Sequence, residues 1–514
     1  MKLNELLFPG EYEGDPISPE ITVSGIENDG RRTVAGCLFF CHRGDKYDSH
    51  ALLPTLSGAG CAAAVVSREY ANEKIGIPVI GVADTRRAEA FAVSRFYGNP
   101  GTKLTLIGVT GTNGKTSVST MLYRILSDAG IHCALIGTTG YRGAPENEAA
   151  FDAFHVGDAA TMTTPPSLTL YPLLSAIADS GITHVVMEVS SQALAKSRVA
   201  PLSFALSVFT NLSPEHLDYH RTMSAYLAAK KILFQQSETA VVNGDTPWSD
   251  LLLDGLSCRR VVAGTVGKCD ASATDVRLCG EDGVSYTLKT REGDASVFVP
   301  IPGAFTVQNS LLALTAATSL GVGMQTAKES LAEMTAVPGR MERIDDGSLP
   351  FSVFIDYAHT EEALRSLLLS VRAFRRPGGR VVLLFGCGGD RDQKKRSEMG
   401  RAADELADYT VVTSDNSRSE DPIKIIRAVL SGMERKEKRR VIVNRERAIR
   451  YVILSAKPGD LILLVGKGHE RYEIGANGIR PFDEKKIALQ ALEERLHGYT
   501  TEEAEREDSD RIAD

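Results

Sequence analysis

A buried strand that leads through a small-residue loop into a lysine-threonine pair is the feature that most constrains this chain. Leu104–Val109 is apolar, Thr110–Gly114 is a loop of small and polar residues, and Lys115 and Thr116 open an amphipathic segment. In this order the loop N–H groups and the helix start face a phosphate, the lysine reaches its outer oxygens and the threonine offers an oxygen to Mg²⁺. The position five residues before Gly114 is a valine, whereas a standard Walker A loop has glycine there. The stretch therefore predicts a nucleotide site with an unusual phosphate loop.

Length and composition restrict the class of protein. A chain of 514 residues has room for roughly three or four domains, and its net charge of −8 argues against general binding to nucleic acid or to a membrane surface. The eight cysteines include no CxxC pair and complete no zinc site, which favours reduced thiols in a cytosolic protein. The sequence shows no signal peptide and no apolar stretch of the ~20 residues that a membrane helix needs. We expect a cytoplasmic protein without membrane insertion and without a nucleic-acid partner.

Changes in the pattern of apolar and turn-forming residues along the chain predict three α/β domains and a tail. Residues 1–100 carry short apolar runs separated by glycines, which is typical of a small α/β domain. Residues 101–338 alternate strands with helices, the pattern of a P-loop-type, doubly wound parallel sheet, with an antiparallel excursion over residues 258–303. Residues 339–497 repeat the alternation and predict a second, Rossmann-like sheet. The acidic tail, 498–514, has almost no apolar residues and is expected to be disordered.

A carboxylate closes a predicted strand of the sheet that carries the phosphate loop. Glu188 lies near the end of the apolar run His184–Val189. Because parallel strands of one sheet end at the same edge, Glu188 is well placed to hold Mg²⁺ beside Thr116. The alternative is a strand-end glutamate that only caps the next turn.

Two further segments carry side chains whose role the residues alone leave open. Thr210–His220 contains two histidines, one of them His216, and two acids, which could form a metal or acid-base cluster or could be solvated loop residues. Lys230 lies in a predicted helix, and the residues alone favour a solvated helix face for it. Thr163 and Thr164 precede two prolines, and a turn before a helix explains them equally well.

Three polar loops follow strands of the last domain and should converge on one edge of its sheet. Arg391 lies in the first of them, Gly386–Asp392, while Asp415–Arg418 and Gly466–Glu470 follow two further strands. Arginine there suits carboxylate recognition, since the planar guanidinium forks onto two oxygens. Glu470 could bind an ammonium group. The alternative is three separate surface loops.

Together and in this order, these motifs resemble those of the Mur ligase family of ATP-dependent amide-bond-forming enzymes. The resemblance runs from about residue 25 to residue 496 and rests on GTNGKT, MEVSS, FTNLSPEHLDYH, AAKK, VPGRME, DYAHT, GCGGDRD and GKGHE. It implies an ATP-dependent ligase of peptidoglycan precursor synthesis that adds an amino acid to UDP-MurNAc-L-Ala-D-Glu through an acyl phosphate. A ligase like folylpolyglutamate synthase would lack a uridine-binding first domain, and an NTP-driven switch would form no ligated product.

The resemblance implies a role for individual residues of the ATP and metal sites. ATP contacts are implied for Gly111, Thr112, Asn113, Gly114, Lys115, Thr116, Asn309, Arg340 and Asp356. Metal contacts are implied for Thr116, Glu188, His216 and Lys230, and catalytic roles for Lys115, His216 and Lys230. Lys230 matches the family's carbamylated lysine, a modification that turns an ammonium into a carboxylate-like metal ligand. ATP and Mg²⁺ are the implied cofactors.

The first domain resembles the family's uridine-binding module, and contacts to the UDP-muramoyl peptide are implied for Gly30, Thr163, Thr164, Ser190 and Arg198. Gly30 stands where the module has serine, which removes a hydroxyl that could touch the uridine. Lys196 stands where related sequences often have glutamine.

The last domain is implied to bind the incoming amino acid through Arg391, Asp415, Asn416, Ser417, Arg418, Gly466 and Glu470. Family members that use meso-diaminopimelate typically read DNPR, whereas lysine users lack the arginine; this chain reads DNSR. Arg418 can bind the distal carboxylate of diaminopimelate, and lysine would leave the guanidinium unpaired. Ser417 loosens the loop relative to proline. We expect a monomer that uses meso-diaminopimelate, with L-lysine or another diamino acid as the alternative.

Overall fold

The computed structural model describes residues 1–13, 17–44, 47–143, 151, 154 and 162–499. The chain divides into two compact units, Met1–Asp270 with Leu312–Ala327 and Ala271–Leu311 with Lys328–Asp514. From residue 500 onward the predicted disordered tail lies outside the described residues. The domain boundaries at residues 100 and 338 stay predictions.

The first unit begins with a small five-stranded sheet. Its strands lie side by side in the order Tyr12–Glu13, Val79–Val82, Ala63–Ser67, Cys37–Phe40 and Gly25–Glu27. All neighbours are parallel except Tyr12–Glu13, which runs antiparallel to Val79–Val82. The fully buried run Cys37–Phe40 is the centre of the apolar core here, because both of its faces are covered.

The phosphate loop belongs to the second sheet of this unit. Its strands lie in the order Arg259–Gly264, Ser237–Asn243, Phe204–Phe209, Thr105–Thr110, His184–Glu188, Cys133–Gly137 and Gly140–Arg142. All of these pair in parallel except the last two, which form an antiparallel hairpin. Thr105–Thr110 and His184–Glu188 are direct neighbours, so Glu188 and the phosphate loop emerge at the same edge of the sheet.

One expectation for this region is wrong in part. The sequence predicts an antiparallel excursion over residues 258–303, but Arg259–Gly264 pairs in parallel with Ser237–Asn243. The chain between these strands is long enough to include the helix Trp248–Leu253, and such a crossover returns a strand in the parallel direction. Antiparallel pairing is confirmed only for the strands that follow, Ala271–Leu278, Val284–Thr290 and Gly293–Val299 in the second unit.

The second unit contains a further doubly wound sheet. Its strands lie in the order Glu342–Arg343, Ser352–Asp356, Leu461–Val465, Val381–Phe385, Tyr409–Val412 and Arg439–Val441, and only the first is antiparallel to its neighbour. A separate hairpin joins Tyr472–Gly475 to Gly478–Pro481. The three central strands Leu461–Val465, Val381–Phe385 and Tyr409–Val412 are adjacent, so the loops that follow them share one edge. The predicted α/β class with parallel sheets is confirmed.

Helices cover the faces of these sheets. They span Leu3–Leu6, Leu53–Leu56, Thr85–Phe96, Lys115–Asp128, Ser167–Asp179, Ser191–Ala195, Leu217–His220, Met223–Gln235, Trp248–Leu253, Phe305–Ser319, Met324–Ala332, Glu361–Phe374, Lys394–Leu406, Pro422–Leu430, Arg445–Leu454 and Glu484–Leu496. Within the part of the chain that the structure describes, none of them is both long and apolar enough to cross a membrane.

Candidate active site

The phosphate loop folds tightly at the end of its strand. Gly111 has φ of 155°, and a Cβ there would lie 1.8 Å from Thr210 Oγ1, so only glycine fits. Gly114 has φ of 85° and precedes the helix that begins at Lys115. The Lys115 ammonium donates to the carbonyls of Gly111 and Thr112 at 2.9 and 2.8 Å. The loop thus holds a cation at the amino end of a helix, which is the arrangement that binds phosphate.

A neighbouring strand end clamps the tip of this loop. The Asn211 side chain accepts from the Asn113 N–H at 2.9 Å and donates to the Asn113 carbonyl at 3.1 Å. Thr210 Oγ1 donates to the same carbonyl at 2.5 Å. The peptide of Asn113 is therefore fixed from both sides before any ligand binds.

Glu188 lies where the sequence predicts a metal carboxylate. One of its oxygens accepts from the N–H of Thr138 at 2.9 Å, and the other accepts from the hydroxyls of Thr116 and Thr138 at 3.1 and 2.9 Å. A Cβ on Gly137 would lie 2.3 Å from the carboxylate, so glycine leaves it room. The described residues contain no cage of three or more His, Cys, Asp or Glu side chains. A hydroxyl and one carboxylate beside a phosphate loop nevertheless fit Mg²⁺, which takes few protein ligands when it binds with phosphate.

Lys230 is buried against the phosphate loop, with only 1% of its surface exposed. Its Nζ donates to the Gly111 carbonyl at 2.7 Å and lies 4.6 Å from the centre of the Tyr226 ring. Burial, reinforced by the charge of Lys115, lowers the pKa of the Lys230 amine well below its usual value. The interpretation of Lys230 as part of a solvated helix face is therefore wrong, because its helix turns this face toward the loop.

The two histidines of the Thr210–His220 segment differ in environment. His216 is exposed and its ring stands edge-on to Tyr226, with centroids 6.3 Å apart. His220 is buried, stacks on Tyr226 and lies 2.9 Å from the Ser191 hydroxyl. The Tyr226 hydroxyl in turn lies 3.2 Å from Thr112 Oγ1. The segment thus places His216 near the Lys230 side of the loop, whereas His220 is a packed scaffold residue.

Most residues predicted to contact the UDP-muramoyl peptide lie beside Glu188. Thr164 Oγ1 donates to the Glu188 carbonyl at 2.9 Å and accepts from the Ser190 N–H at 3.0 Å. Arg198 donates to the Thr164 carbonyl at 2.6 Å, and the hydroxyl of Thr163 accepts from that of Thr138 at 3.1 Å. Hydroxyl and guanidinium groups are therefore clustered at the edge of the sheet that carries Glu188.

Gly30 lies apart from this cluster, in the turn Gly30–Arg32 of the first sheet. A Cβ at Gly30 would come within 2.8 Å of Leu52 Cδ1. Leu52 therefore occupies the space that a side chain at position 30, such as the serine of the family's module, would need.

The remaining predicted ATP residues belong to the second unit. Asp356 accepts from the N–H groups of Met341 and Ala358 at 2.9 and 2.8 Å, and Arg340 stacks over the Tyr357 ring at 4.6 Å. Burial raises the pKa of Asp356, although the Arg340 charge opposes this. Asn309 is buried in the helix Phe305–Ser319.

The predicted amino-acid site is a compact polar cluster at the carboxyl ends of the central strands. Asn416 donates from its amide to Glu470 at 2.7 Å, and its side-chain oxygen accepts from Lys467 Nζ at 3.0 Å. Lys467 is completely buried and lies 3.8 Å from both Asp415 and Glu470. Gly466 has φ of 114°, and a Cβ there would lie 2.8 Å from Asp415 Oδ2.

Charges within this cluster shift the pKa values of its two carboxylates in opposite directions. Burial alone would raise the pKa of Asp415, but the Lys467 and Arg445 charges outweigh it and lower that pKa. Burial and the neighbouring Asp415 raise the pKa of Glu470, although Lys467 opposes them.

Arg418 lies at the rim of the cluster in a left-handed backbone conformation, φ 51°. Its Nη1 donates to the carbonyls of Gly389 and Asn416 at 2.8 and 3.3 Å. The Ser417 carbonyl accepts from the N–H of Glu420, which turns the loop, and Arg391 is exposed on the facing loop. The three polar loops therefore come together at one edge, and the alternative of separate surface loops is wrong.

Sequence reasoning missed several residues that organise these sites. They are Thr138, Asn211, Tyr226, Arg396, Glu420, Arg445 and Lys467. Asn211 and Lys467 stand inside recognised motifs, so a strand-end position could have singled them out. Each of the others makes a contact with a residue at least 24 positions away, such as Thr138 with Glu188 and Arg396 with Glu420, and no local pattern marks them.

Comparisons with known proteins agree with the motif resemblance. The chain matches the Mur ligase middle domain over residues 109–317 and the Mur ligase glutamate ligase domain over residues 339–468. The UDP-N-acetylmuramoyl-L-alanyl-D-glutamate–2,6-diaminopimelate ligase of Geobacillus kaustophilus is 38% identical over 510 residues, which cover 96% of this chain and 100% of that protein. The protein of the same name from Trichormus variabilis is 39% identical over 505 residues, 96% of this chain and 99% of its own.

Solved structures agree with this pattern. The structure of a UDP-N-acetylmuramoyl-L-alanyl-D-glutamate–2,6-diaminopimelate ligase has a TM-score of 0.66 at 28% identity and covers 97% of this chain and 99% of the other. A folylpolyglutamate synthase of Mycobacterium tuberculosis in complex with ADP has a TM-score of 0.60 at 18% identity and covers 74% of this chain and 92% of its own. At that identity the second likeness shows the fold alone.

Proposed function

Because this chain belongs to the Mur ligase family, we propose that it is the ATP-dependent ligase that joins meso-diaminopimelate to UDP-MurNAc-L-Ala-D-Glu. The observation that carries the proposal is the polar cluster at the carboxyl ends of the strands of the second unit. It presents carboxylates, Asp415 and Glu470, close to a guanidinium, Arg418. An amino acid with two ammonium and two carboxylate groups matches both kinds of charge.

Selectivity follows from the unsatisfied part of that guanidinium. Arg418 uses only Nη1 for hydrogen bonds among the described residues, which leaves Nη2 and Nε for a carboxylate. L-lysine has no distal carboxylate and would lose a charge-assisted, two-pronged contact. L-lysine is the alternative substrate, and the experiment below distinguishes it from diaminopimelate.

The proposed reaction has two steps. The γ-carboxylate of the D-glutamyl residue attacks the γ-phosphorus of ATP, ADP leaves, and an acyl phosphate is formed. The diaminopimelate amine then attacks the acyl carbon and gives up a proton, and phosphate leaves with the electron pair of the broken C–O bond and takes up that proton. Lys115 and the loop N–H groups stabilise the charge on the transferring phosphoryl group, and Thr164, Ser190 and Arg198 orient the peptide.

Mg²⁺ is proposed to bind at Thr116 and Glu188, where it would neutralise phosphate charge. Lys230, as an ammonium, would repel such a cation. Its buried amine, with a lowered pKa, is instead suited to react with CO₂ and become a carbamate with loss of a proton. The carbamate and His216 would then be the donors that could hold a second metal ion.

A folylpolyglutamate-synthase-like ligase is the second candidate. The Geobacillus kaustophilus relative covers 96% of this chain, which must include most of the first hundred residues, and this argues against that candidate. A nucleotide-driven switch is the third, and it would need no amino acid. We also propose that the protein acts as a monomer in the cytoplasm, where ATP is available.

The direct test is incubation with Mg-ATP and UDP-MurNAc-L-Ala-D-Glu plus meso-diaminopimelate, L-lysine or no amino acid. Mass spectrometry of the product and phosphate release are both measured. We expect the ligated product and stoichiometric phosphate with diaminopimelate. Phosphate release that needs neither substrate would refute the ligase, and product with lysine alone would refute the role of Arg418.

The carbamate is tested with Lys230→Ala. We expect loss of activity that added short carboxylates partly restore, because they can replace the missing metal ligand. The matched control is Lys231→Ala on the same helix, whose amine donates to the carbonyls of Leu251 and Asp254 and which should stay active. Full activity of Lys230→Ala without added carboxylate would exclude the role.

A further inference from the structure

We propose that the ion pair between Arg396 and Glu420 is a positioning device that sets selectivity for an amino acid with a distal carboxylate. The inference rests on the proposed function and concerns two residues that do not themselves contact the amino acid. They act by holding the loop Gly386–Asp392 against the loop Asp415–Arg418, which carries the Arg418 guanidinium.

The pair joins the helix Lys394–Leu406, which follows the loop Gly386–Asp392, to the segment just after the loop Asp415–Arg418. Arg396, 3% exposed, donates from Nη1 and Nη2 to the two carboxylate oxygens of Glu420 at 2.9 and 2.7 Å. Its Nη2 also donates to the Gly388 carbonyl at 3.2 Å. Glu420 accepts in addition from the Asp390 N–H at 2.6 Å. Every member of the pair therefore holds the loop Gly386–Asp392 as well as its partner.

Each of the two loops contains a residue in a strained backbone conformation that the ion pair helps to hold. Asp390 and Arg418 both have positive φ, 52° and 51°, one in each loop. Residues other than glycine adopt this conformation at a cost, and they keep it only where the surroundings impose it. Asp390 is further held by the hydroxyl of Ser419, which donates to its carboxylate at 2.7 Å.

The strained backbone holds Arg418 in close contact with the facing loop Gly386–Asp392. Its Nη1 lies against the facing loop, where it donates to the Gly389 carbonyl at 2.8 Å. A Cβ on Gly388 would come within 2.9 Å of the same nitrogen, so the loops are in close contact. If the loops separate, Arg418 loses these anchors, and its open edge no longer faces the carboxylate in one fixed orientation.

The pair is well suited to this task because its charge is stable. Hydrogen bonds from Arg396, and from the Asp390 N–H, lower the pKa of Glu420 to about 2. Glu420 therefore stays ionised throughout the range in which an enzyme works, and a two-pronged guanidinium–carboxylate contact fixes distance and angle together.

The test compares Glu420→Gln with a control in the same domain, Glu405→Gln. Glu405 pairs with Arg365 at 2.9 Å, but that pair is exposed and touches neither loop. For Glu420→Gln we expect the KM for meso-diaminopimelate to rise at least tenfold, with kcat and the KM values for ATP and the UDP-linked peptide within twofold. The KM for L-lysine, which cannot use Arg418, should not change. Glu405→Gln should match the unaltered protein in all of these.

Three outcomes would overturn the inference. The first is a diaminopimelate KM within twofold of normal in folded Glu420→Gln. The second is an equal rise in KM for lysine, which would indicate general damage. If Glu420→Gln does not fold, Arg396→Lys carries the same test, since it keeps the charge but loses the fork. Failure of the unaltered protein to make any diaminopimelate product would overturn the proposed function first, and this inference with it.

Discussion

Asn211→Ala should weaken nucleotide binding without unfolding the protein. The substitution removes both hydrogen bonds to the Asn113 peptide, at 2.9 and 3.1 Å. Each such bond contributes about 0.5–1.5 kcal/mol net. Thr210 still holds the Asn113 carbonyl, so the lower part of the combined range applies. A loss of about 1–2 kcal/mol of binding free energy corresponds to a roughly 5- to 30-fold larger dissociation constant for the nucleotide.

The assay is calorimetric titration of the protein with Mg-ADP, with thermal unfolding measured in parallel. The matched control is Gln236→Ala, because Gln236 also donates from a side-chain amide to loop carbonyls, those of Ala200 and Val199 at 2.8 and 3.4 Å. Gln236 precedes its strand and lies at the edge of the sheet opposite the phosphate loop. The Gln236→Ala substitution should lower the thermal stability of the protein by about as much as Asn211→Ala does, and it should leave the ADP affinity unchanged.

Two results would refute this reasoning. If Asn211→Ala binds ADP as tightly as the unaltered protein, the loop does not depend on the clamp. If Gln236→Ala weakens ADP binding equally, the effect is one of general stability and not of loop geometry.

Two further predictions concern ion pairs of the second unit. Arg445→Ala should lower the free energy of unfolding in urea by about 3–5 kcal/mol, because it leaves the fully buried Glu484 without its cation. The control is Arg365→Ala at an exposed pair, which should lower the free energy of unfolding by less than about 1 kcal/mol. Equal losses in the two variants would contradict the prediction. Glu420 has a folded-state pKa lowered to about 2, so its stabilising contribution is complete above the pKa of about 4.3 in the unfolded chain and is lost as pH falls toward 2. The stability difference between the unaltered protein and Glu420→Gln should therefore shrink between pH 5 and about 2 in urea titrations, and a constant difference would argue against the ion pair.

Local patterns predicted those parts of the site that lie within one strand-loop-helix segment. The phosphate loop, with Lys115 and Thr116 at a helix start, follows from an apolar run and small residues, because backbone geometry over a dozen residues needs no distant partner. Glu188 was predicted for a related reason: parallel strands end at one edge, so a strand-end carboxylate must lie near a strand-end loop.

Residues that act across the fold could not be predicted in this way. Lys230 has the sequence context of a solvated helix face, and only the packing of that helix against the phosphate loop buries it. Arg396 and Glu420 are 24 residues apart and lie on different elements, so no spacing rule links them. A side chain's burial and partner depend on which helix face meets which loop, and that is a property of the assembled core.

By itself, then, the sequence determined the α/β class, the phosphate loop and the order of the polar strand ends, because these depend on periodicity and on backbone geometry over short distances. Only the tertiary structure decided that Lys230 lies under Gly111, that Asn211 clamps Asn113 and that Lys467 sits between Asp415 and Glu470. Charged and amide groups reach such positions only when distant segments pack together and exclude water, and the cost of burying them is offset only by partners that the folded chain supplies.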